Sequence, residues 1–138
     1  MATVALVFAV SALQAYAEQS VEGLWLSGDG DGWIQITLSS AGPVGTIAGS
    51  PNNPEVPRYD RLNPDEALKG RPLLGLAILD SFTPAGVGKW TDGRIYDPNS
   101  GKTYRCNLTL VGDDKLKVRG YVGVAILGRT EVWTRAVN

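Results

Sequence analysis

The sequence has no histidine and only one cysteine, Cys106. Histidine is the usual general base at neutral pH and a common metal ligand, so its absence excludes the triads of serine and cysteine hydrolases and most zinc-binding patterns. A lone cysteine forms no internal disulfide, and Cys106 stands on the apolar side of an alternating segment, as a small core residue does. We therefore expect a protein that is held together by its hydrophobic core, is not an enzyme, and binds no metal or cofactor.

The sequence also lacks a strong excess of charge of one sign. Its formal net charge is −1, far from the basic excess of a nucleic-acid-binding domain. Lys115, Lys117 and Arg119 alternate with apolar residues, so we interpret them as outward-facing residues of one strand. We expect no nucleic-acid partner.

Long apolar runs are confined to the amino-terminal end of the chain. Residues 1–17, MATVALVFAVSALQAYA, are uncharged and end in Ala15-Tyr16-Ala17, the small-residue pattern of a secretory cleavage site. The run is shorter than the ~20 apolar residues that a membrane-spanning helix needs. We therefore expect a signal peptide at residues 1–17, a single exported domain at residues 18–138, and no membrane span after cleavage.

Glycine is abundant, with 17 of 138 residues, and it separates short apolar runs at the spacing typical of an all-β barrel or sandwich. The predicted strands lie in VEGLWL, GWIQITL, PVGTIAG, PLLGLAIL, GVGKWT, GRIYD, KTYRCNLTL, KLKVRGYV and GRTEVWTR. One segment is different: Asn63 is a good N-cap, Pro64 suits the first helical position, and Gly70 follows as a stop. We therefore predict one short helix near residues 63–69.

The segment Tyr96 to Tyr104, YDPNSGKTY, contains SGKT, the second half of a phosphate-binding loop. Such a loop needs a glycine five positions before its Gly-Lys pair, and Tyr96 stands there instead. The residues after Gly101 alternate with period two rather than forming a helix, and Asp97-Pro98 favours a type I turn. We therefore predict a β-hairpin here and no nucleotide site.

A second motif, GDGDGW, resembles the start of a calcium-binding loop with Asp29 and Asp31 as oxygen ligands. An EF-hand loop ends on a glutamate at its twelfth position, and Ser40 stands there. We therefore predict a turn between the first two strands.

Several motifs occur in order along the chain: EGLW at 22–25, Asp60 followed by Asn63-Pro64, GRPLLGLAIL at 70–79, KWTDGRIYDPNSGKTY at 89–104, LKVRGYVG at 116–123 and LGRTEVWTR at 127–135. This series resembles an uncharacterised family of small exported bacterial proteins, domain-of-unknown-function family 2147. The resemblance covers almost all of residues 18–138, and it implies a periplasmic location, a β-barrel similar to the lipocalins and no established activity. We therefore predict an all-β fold: a single antiparallel up-and-down β-barrel of about eight strands, lipocalin/calycin-like.

A second resemblance concerns the ends of this barrel. Gly23 and Trp25 on the first strand and an arginine on the last, either Arg129 or Arg135, are similar to the lipocalin arrangement in which the arginine covers the tryptophan. The guanidinium would stack on the ring while it binds nearby carbonyl groups.

The register of the last strand decides whether the interior is charged. If Trp133 points inward, period two carries Arg129, Glu131 and Arg135 to the same side. If Thr130, Val132 and Thr134 point inward, those charges lie on the surface. We favour the surface position for Glu131.

The hypothesis that we favour is a noncatalytic periplasmic protein that binds a small hydrophobic or amphipathic molecule inside the barrel. The candidate ligand-binding residues are Trp25, Arg71, Trp90, Tyr104, Tyr121, Arg129 and Trp133. Arg71 lies at a strand mouth, where it can bind an anionic head group or hold Asp60.

Two other classes of function stay open. A structural or protein-interaction module of the cell envelope, which would hold a partner on an exposed face or edge strand, would have a filled interior and an exposed aromatic or basic patch. An enzyme would need carboxylates such as Asp60, Asp92 and Asp97, and anion-stabilising arginines such as Arg71, Arg119 and Arg129, to converge.

Overall fold

The computed structural model describes residues 20–52, 58–124 and 128–136. The signal peptide expected at residues 1–17 lies outside the described residues. The strands are β1 (Gly23–Leu26), β2 (Trp33–Ser39), β3 (Gly42–Gly49), β4 (Ala77–Asp80), β5 (Thr83–Pro84), β6 (Lys89–Asp97), β7 (Lys102–Val111), β8 (Lys115–Tyr121) and β9 (Arg129–Arg135). A single turn of 3₁₀ helix covers Glu66–Leu68. Across the described ranges, no helix combines the length and the apolar character needed to cross a bilayer.

The strands form a closed antiparallel barrel. Their order is β4-β3-β2-β1-β9-β8-β7-β6-β5, and β4 also pairs with β6 through Leu79 with Ile95 and Asp80 with Arg94. The two-residue β5 pairs with β6 along the same edge as β4, next to the residues that pair with β4, so β4 and β5 together occupy one position in the wall. The wall thus has eight strands, which confirms the predicted barrel.

Two predicted strands are in fact one. GVGKWT and GRIYD merge into β6, and the register shifts between Trp90 and Gly93 where Asp92 adopts a φ of 57°. A bulge of this kind lets one long strand bend around a barrel without losing its pairing. The glycine and aspartate that suggested a turn therefore mark the bend.

The predicted strand PLLGLAIL is also shorter than expected, because only Ala77–Asp80 is a strand. The residues before it form backbone hydrogen bonds with two different segments, and these bonds do not make a regular ladder. Leu73 donates to the carbonyl of Arg58 at 2.9 Å, and Gly75 donates to the carbonyl of Ile47 at 2.8 Å. This part of the chain is a folded crossing between β3 and β4.

The short helix lies where it was predicted, but the predicted N-cap, Asn63, is wrong. Asp65, rather than Asn63, accepts a hydrogen bond from the backbone N–H of Ala67. The amide of Asn63 is used elsewhere: it accepts from the backbone N–H of Asp65 and donates to Asp60. Because Asn63 is engaged by Asp60, three residues earlier, and by the N–H of Asp65, the cap lies two residues further along the chain, at Asp65.

One half of the barrel is filled by apolar side chains. The buried cluster contains Val21, Trp25, Ile34, Ile36, Ile78, Leu79, Phe82, Cys106, Leu108, Leu116, Val118 and Trp133. Phe82 packs where a side chain at Gly93 would overlap its ring, so the absence of a Cβ at that bend makes room for it. Burial raises the pKa of the Cys106 thiol to about 12, as expected for an unreactive core cysteine.

The filled half ends in a tryptophan covered by an arginine. The guanidinium of Arg135 lies 4.4 Å from the centroid of the Trp25 ring. It donates to the carbonyls of Glu22 and Ser20, each at 2.6 Å, and to the carbonyl of Asp113. The arginine of this arrangement is therefore Arg135, and the cap closes that end of the barrel.

The motif YDPNSGKTY forms the predicted hairpin between β6 and β7. The N–H of Gly101 donates to the carbonyl of Asp97 at 2.8 Å, and Gly101 has a φ of 74°. A side chain at Gly101 would collide with the carbonyl of Leu62, so this turn packs directly on the β3–β4 crossing.

Candidate functional site

A cavity of about 640 Å³ occupies the other half of the barrel. Its apolar lining comes from inward positions of six strands: Ile34, Ile47, Ile78, Ile95, Val118 and Trp133. Ser27, Asp31 and Asn99 lie at its rim, in the turns at the barrel end opposite Trp25. The barrel therefore contains an apolar chamber with a closed floor and a polar mouth.

The space exists partly because two inward positions are glycines. Gly120 on β8 lines the cavity, and a Cβ placed there would make only ordinary contacts, at 3.8 to 3.9 Å from Tyr104, Arg105 and Ile95. Gly49 at the end of β3 lines it as well. A larger residue at Gly120 would extend into the chamber without a clash at its base.

One side of the cavity is made by the β3–β4 crossing and not by a strand. Arg58, Tyr59, Pro72, Leu73 and Leu74 of this segment line the chamber. The bridge between Tyr59 and Pro72 folds the segment on itself, and its bonds to Ile47 attach it to β3. Its other attachment, to β6, is made by side chains.

That attachment is centred on Asp60, which is completely buried. Its carboxylate accepts hydrogen bonds from the Tyr96 hydroxyl at 2.6 Å, the Asn63 amide at 2.8 Å and the Arg71 Nε at 2.9 Å. The guanidinium of Arg71 also lies 5.9 Å from the centroid of the Tyr96 ring. A buried carboxylate with three donors is satisfied, so Asp60 holds the crossing against the β6 residue Tyr96.

The pKa shifts in this cluster follow from its geometry. Removal of Asp60 from water raises its pKa, but the donors Tyr96, Asn63 and Arg71 outweigh that effect and hold the pKa below its ordinary value. Burial, together with the bond to the charged Asp60, raises the pKa of Tyr96 to about 12. At neutral pH the pair is therefore a carboxylate and a neutral phenol.

The predicted surface position of Glu131 is wrong. Glu131 lines the cavity together with Arg129 and Trp133, which are the other inward positions of β9. The reason is the register with β8: Glu131 pairs with Val118 and Trp133 pairs with Leu116, and both partners are buried core residues. The Glu131 side chain lies against Gly28, where a Cβ would come within 2.7 Å of its carboxylate oxygen.

The GDGDGW motif forms the predicted turn between β1 and β2. Asp29 accepts a hydrogen bond from the Ser27 hydroxyl at 2.7 Å and another from the backbone N–H of Asp31 at 3.0 Å, and these bonds lower its pKa. Asp31 lies 4.0 Å from Arg58 of the crossing. Both aspartates line the cavity mouth, and among the described residues no group of three metal-binding side chains occurs.

The cavity residue Trp133 carries a buried polar atom that lacks a partner within the described ranges. The indole N–H of Trp133 is buried and has no hydrogen-bond acceptor in the described part of the chain. Buried polar groups are nearly always satisfied, so this N–H is an exception, and because the nitrogen atom itself is buried it does not reach the open space of the chamber.

Three of the seven candidate ligand-binding residues line the cavity: Tyr104, Arg129 and Trp133. The other four lie elsewhere. Trp25 is buried under Arg135, Trp90 packs beside the filled core, and Arg71 lines a separate pocket of about 220 Å³. The hydroxyl of Tyr121 lies 3.4 Å from Asp92 and Asn107, two residues of the neighbouring strands β6 and β7.

The carboxylates that an enzyme would need have structural partners. Asp60 holds the crossing, Asp92 bonds to Arg105 at 3.2 Å, and Asp97 accepts from Asn99 and Ser100 in the hairpin. None of these arrangements pairs an acid and a base across the chamber within the described ranges.

Sequence reasoning missed much of the real lining. The unpredicted members are Asp29, Asp31, Arg58, Tyr59, Leu73 and Glu131, together with the strand isoleucines. For Glu131 a signal existed, because an inward Trp133 requires an inward Glu131 by period two. For Arg58 and Tyr59 none existed, since their place follows from the folding of a proline-rich crossing.

Comparisons with known proteins agree with this geometry. A family model described as "Uncharacterized protein conserved in bacteria (DUF2147)" matches residues 23–135. The solved structure of protein HP1028 from the human pathogen Helicobacter pylori, which is described as belonging to the lipocalin family, is similar with a TM-score of 0.79 and 18% sequence identity. The similarity covers 86% of this chain and 84% of that chain, and it shows a lipocalin-like fold. No curated protein matches the chain.

Proposed function

Because the chain belongs to DUF2147, a bacterial family described only as uncharacterized, its own cavity is the guide to its role, and we propose that it binds a small, partly apolar molecule there without catalysing a reaction. The observation that carries the proposal is the chamber of about 640 Å³. Ligand sites of this size are typically lined by apolar side chains with a few polar groups at defined positions. The isoleucines, Val118 and Trp133 supply the apolar lining, and the residues at the mouth supply the polar groups.

The lipocalin-like fold supports the same proposal, since a barrel closed at one end suits carriage of a ligand through water. The alternative of an envelope interaction module predicts a filled interior. A chamber with an apolar wall does not agree with that prediction, because an apolar void in the core forfeits packing contacts unless something occupies it.

We also propose that the protein acts in the periplasm. The support is the uncharged apolar segment 1–17 with its Ala15-Tyr16-Ala17 end. Expression of the full chain in a Gram-negative host, followed by osmotic shock and amino-terminal sequencing, tests this. Release of a chain that begins at Glu18 supports it, and retention of an uncleaved chain in the cytoplasm contradicts it.

Binding is tested by extraction and by a filled-cavity variant. Protein purified without detergent is extracted with organic solvent, and the extract is analysed by mass spectrometry. In parallel, an environment-sensitive apolar fluorophore is titrated into the wild type and into Gly120→Val, whose added side chain enters the chamber. We expect a bound molecule or saturable fluorophore binding in the wild type, and weaker binding in Gly120→Val.

The matched control is Thr37→Val, which introduces the same side chain at an exposed position of β2. It should bind the fluorophore like the wild type, and both variants should show cooperative thermal unfolding. Equal binding by all three proteins, or no binding and an empty extract from the wild type, would reject the proposal.

A further inference from the structure

The cavity lining carries more negative than positive charge. Four carboxylates line it, those of Asp29, Asp31, Asp97 and Glu131, against the two guanidinium groups of Arg58 and Arg129. A ligand head group that enters this mouth meets an excess of negative charge. Charge of this sign disfavours an anionic head group such as a carboxylate and favours a cation.

Three of these four carboxylates already have partners. Asp31 faces Arg58 at 4.0 Å, Asp29 holds the β1–β2 turn, and Asp97 holds the β6–β7 hairpin. They keep their negative charge, but their hydrogen-bonding positions are in use. Their contribution to a ligand is therefore mainly a general attraction for positive charge.

Glu131 is different. No hydrogen bond or ion pair engages its carboxylate within residues 20–52, 58–124 and 128–136. It lies beside the buried Val118 and against Gly28 of the β1–β2 turn, and it is half-buried. A partly desolvated carboxylate without a partner is a strong attractor for a cation, because the lower local dielectric strengthens the pairing.

The wall next to Glu131 also suits a cation. Trp133 is the adjacent inward residue of β9, and Tyr104 lines the same chamber. Aromatic faces beside a carboxylate attract alkylammonium groups through the ring quadrupole.

We propose that the chamber selects cationic amphiphiles: an apolar tail lies among the isoleucines, and an amine or alkylammonium head pairs with Glu131. The inference rests on the proposed function and adds the chemical class of the ligand. Arg129 is exposed at the mouth, one inward position away from Glu131, and the head group passes it before it reaches the carboxylate.

The test uses three probes that share a decyl chain and differ in their heads: decyltrimethylammonium, decanol and decanoate. Each is titrated below its micelle concentration by competition with the fluorophore. We expect the ammonium probe to bind roughly five- to tenfold tighter than decanol, and decanoate to bind most weakly, as for one partly buried ion pair. Added salt should weaken the ammonium probe and leave decanol unchanged.

Glu131→Gln removes the charge and keeps the shape of the side chain. It should abolish the preference for the ammonium probe while it leaves decanol binding as in the wild type. The matched control is Glu66→Gln, which removes the charge of an exposed glutamate on the 3₁₀ turn and should keep the preference.

The outcomes separate the two proposals. Equal binding of all three probes, or tighter binding of decanoate, overturns the inference about the head group and leaves the binding function standing. A preference for the ammonium probe that survives in Glu131→Gln overturns the role of Glu131. Failure of all three probes and of the fluorophore overturns the binding function itself.

Discussion

The hydroxyl of Tyr96 donates a 2.6 Å hydrogen bond to the carboxylate of Asp60, and this bond joins strand β6 to a crossing that lies 36 residues earlier in the chain. This hydrogen bond lies beside the chamber, because Tyr96 lines the cavity and so does Tyr59, the residue before Asp60. The side wall of the cavity therefore depends on a polar contact, whereas the rest of the wall is held by strand pairing.

Asp60→Asn should lower the free energy of unfolding by about 2–4 kcal/mol, because an amide presents an N–H group to donors that now face a carboxylate. Urea unfolding at neutral pH measures this. Asp113→Asn, a change of the same type on an exposed turn residue, is the control and should stay within about 0.5 kcal/mol of the wild type. Similar unfolding midpoints for both variants would contradict the role given to Asp60.

The contribution of Asp60 should also depend on pH in a defined direction. Its pKa is lower in the folded protein than the ordinary value of about 3.9, so the stabilisation is present above that value and disappears as the pH falls through the lower, folded value. The difference in unfolding free energy between the wild type and Asp60→Asn should therefore shrink on acidification. A difference that stays constant from neutral pH to about pH 3 would contradict this.

The stabilisation contributed by Tyr96 depends on pH in the opposite direction and is lost at high pH. Its pKa is raised from 10.0 to about 12, so the stabilisation is complete below the ordinary value and is lost as the pH rises through about 12. Ultraviolet titration of the phenolate should show one tyrosine that ionises late in the wild type. That late step should be missing in Tyr96→Phe; its persistence there would assign it to another tyrosine.

Arg135→Lys should destabilise the barrel by about 1–3 kcal/mol, although it keeps the charge. A lysine ammonium group cannot lie flat on the Trp25 ring and at the same time donate hydrogen bonds to the carbonyls of Ser20, Glu22 and Asp113. Thermal unfolding followed by tryptophan fluorescence measures the loss. Arg61→Lys, at an exposed position of the crossing, is the control, and an equally small effect of both changes would show that the cap adds little.

Local chemistry made several features predictable. Glycine at Gly101 and Gly112 marks hairpins because both positions need a positive φ, and both are found there. Period two in KTYRCNLTL and KLKVRGYV places Cys106, Leu116 and Val118 in the core, as found. These signals depend on residues close together in sequence, so a single chain displays them.

The sequence by itself determined most of the strands, the inward faces of the regularly alternating ones such as β7 and β8, the short turn near residue 66 and the absence of histidine chemistry, because alternation and backbone preference act over a few residues. Only the tertiary structure decided that β4 meets β6, that Arg135 and not Arg129 covers Trp25, that Glu131 faces the chamber, and that the interior is partly empty. Each of these depends on pairing between distant segments, and the volume left inside a closed barrel is set by how all eight strands meet.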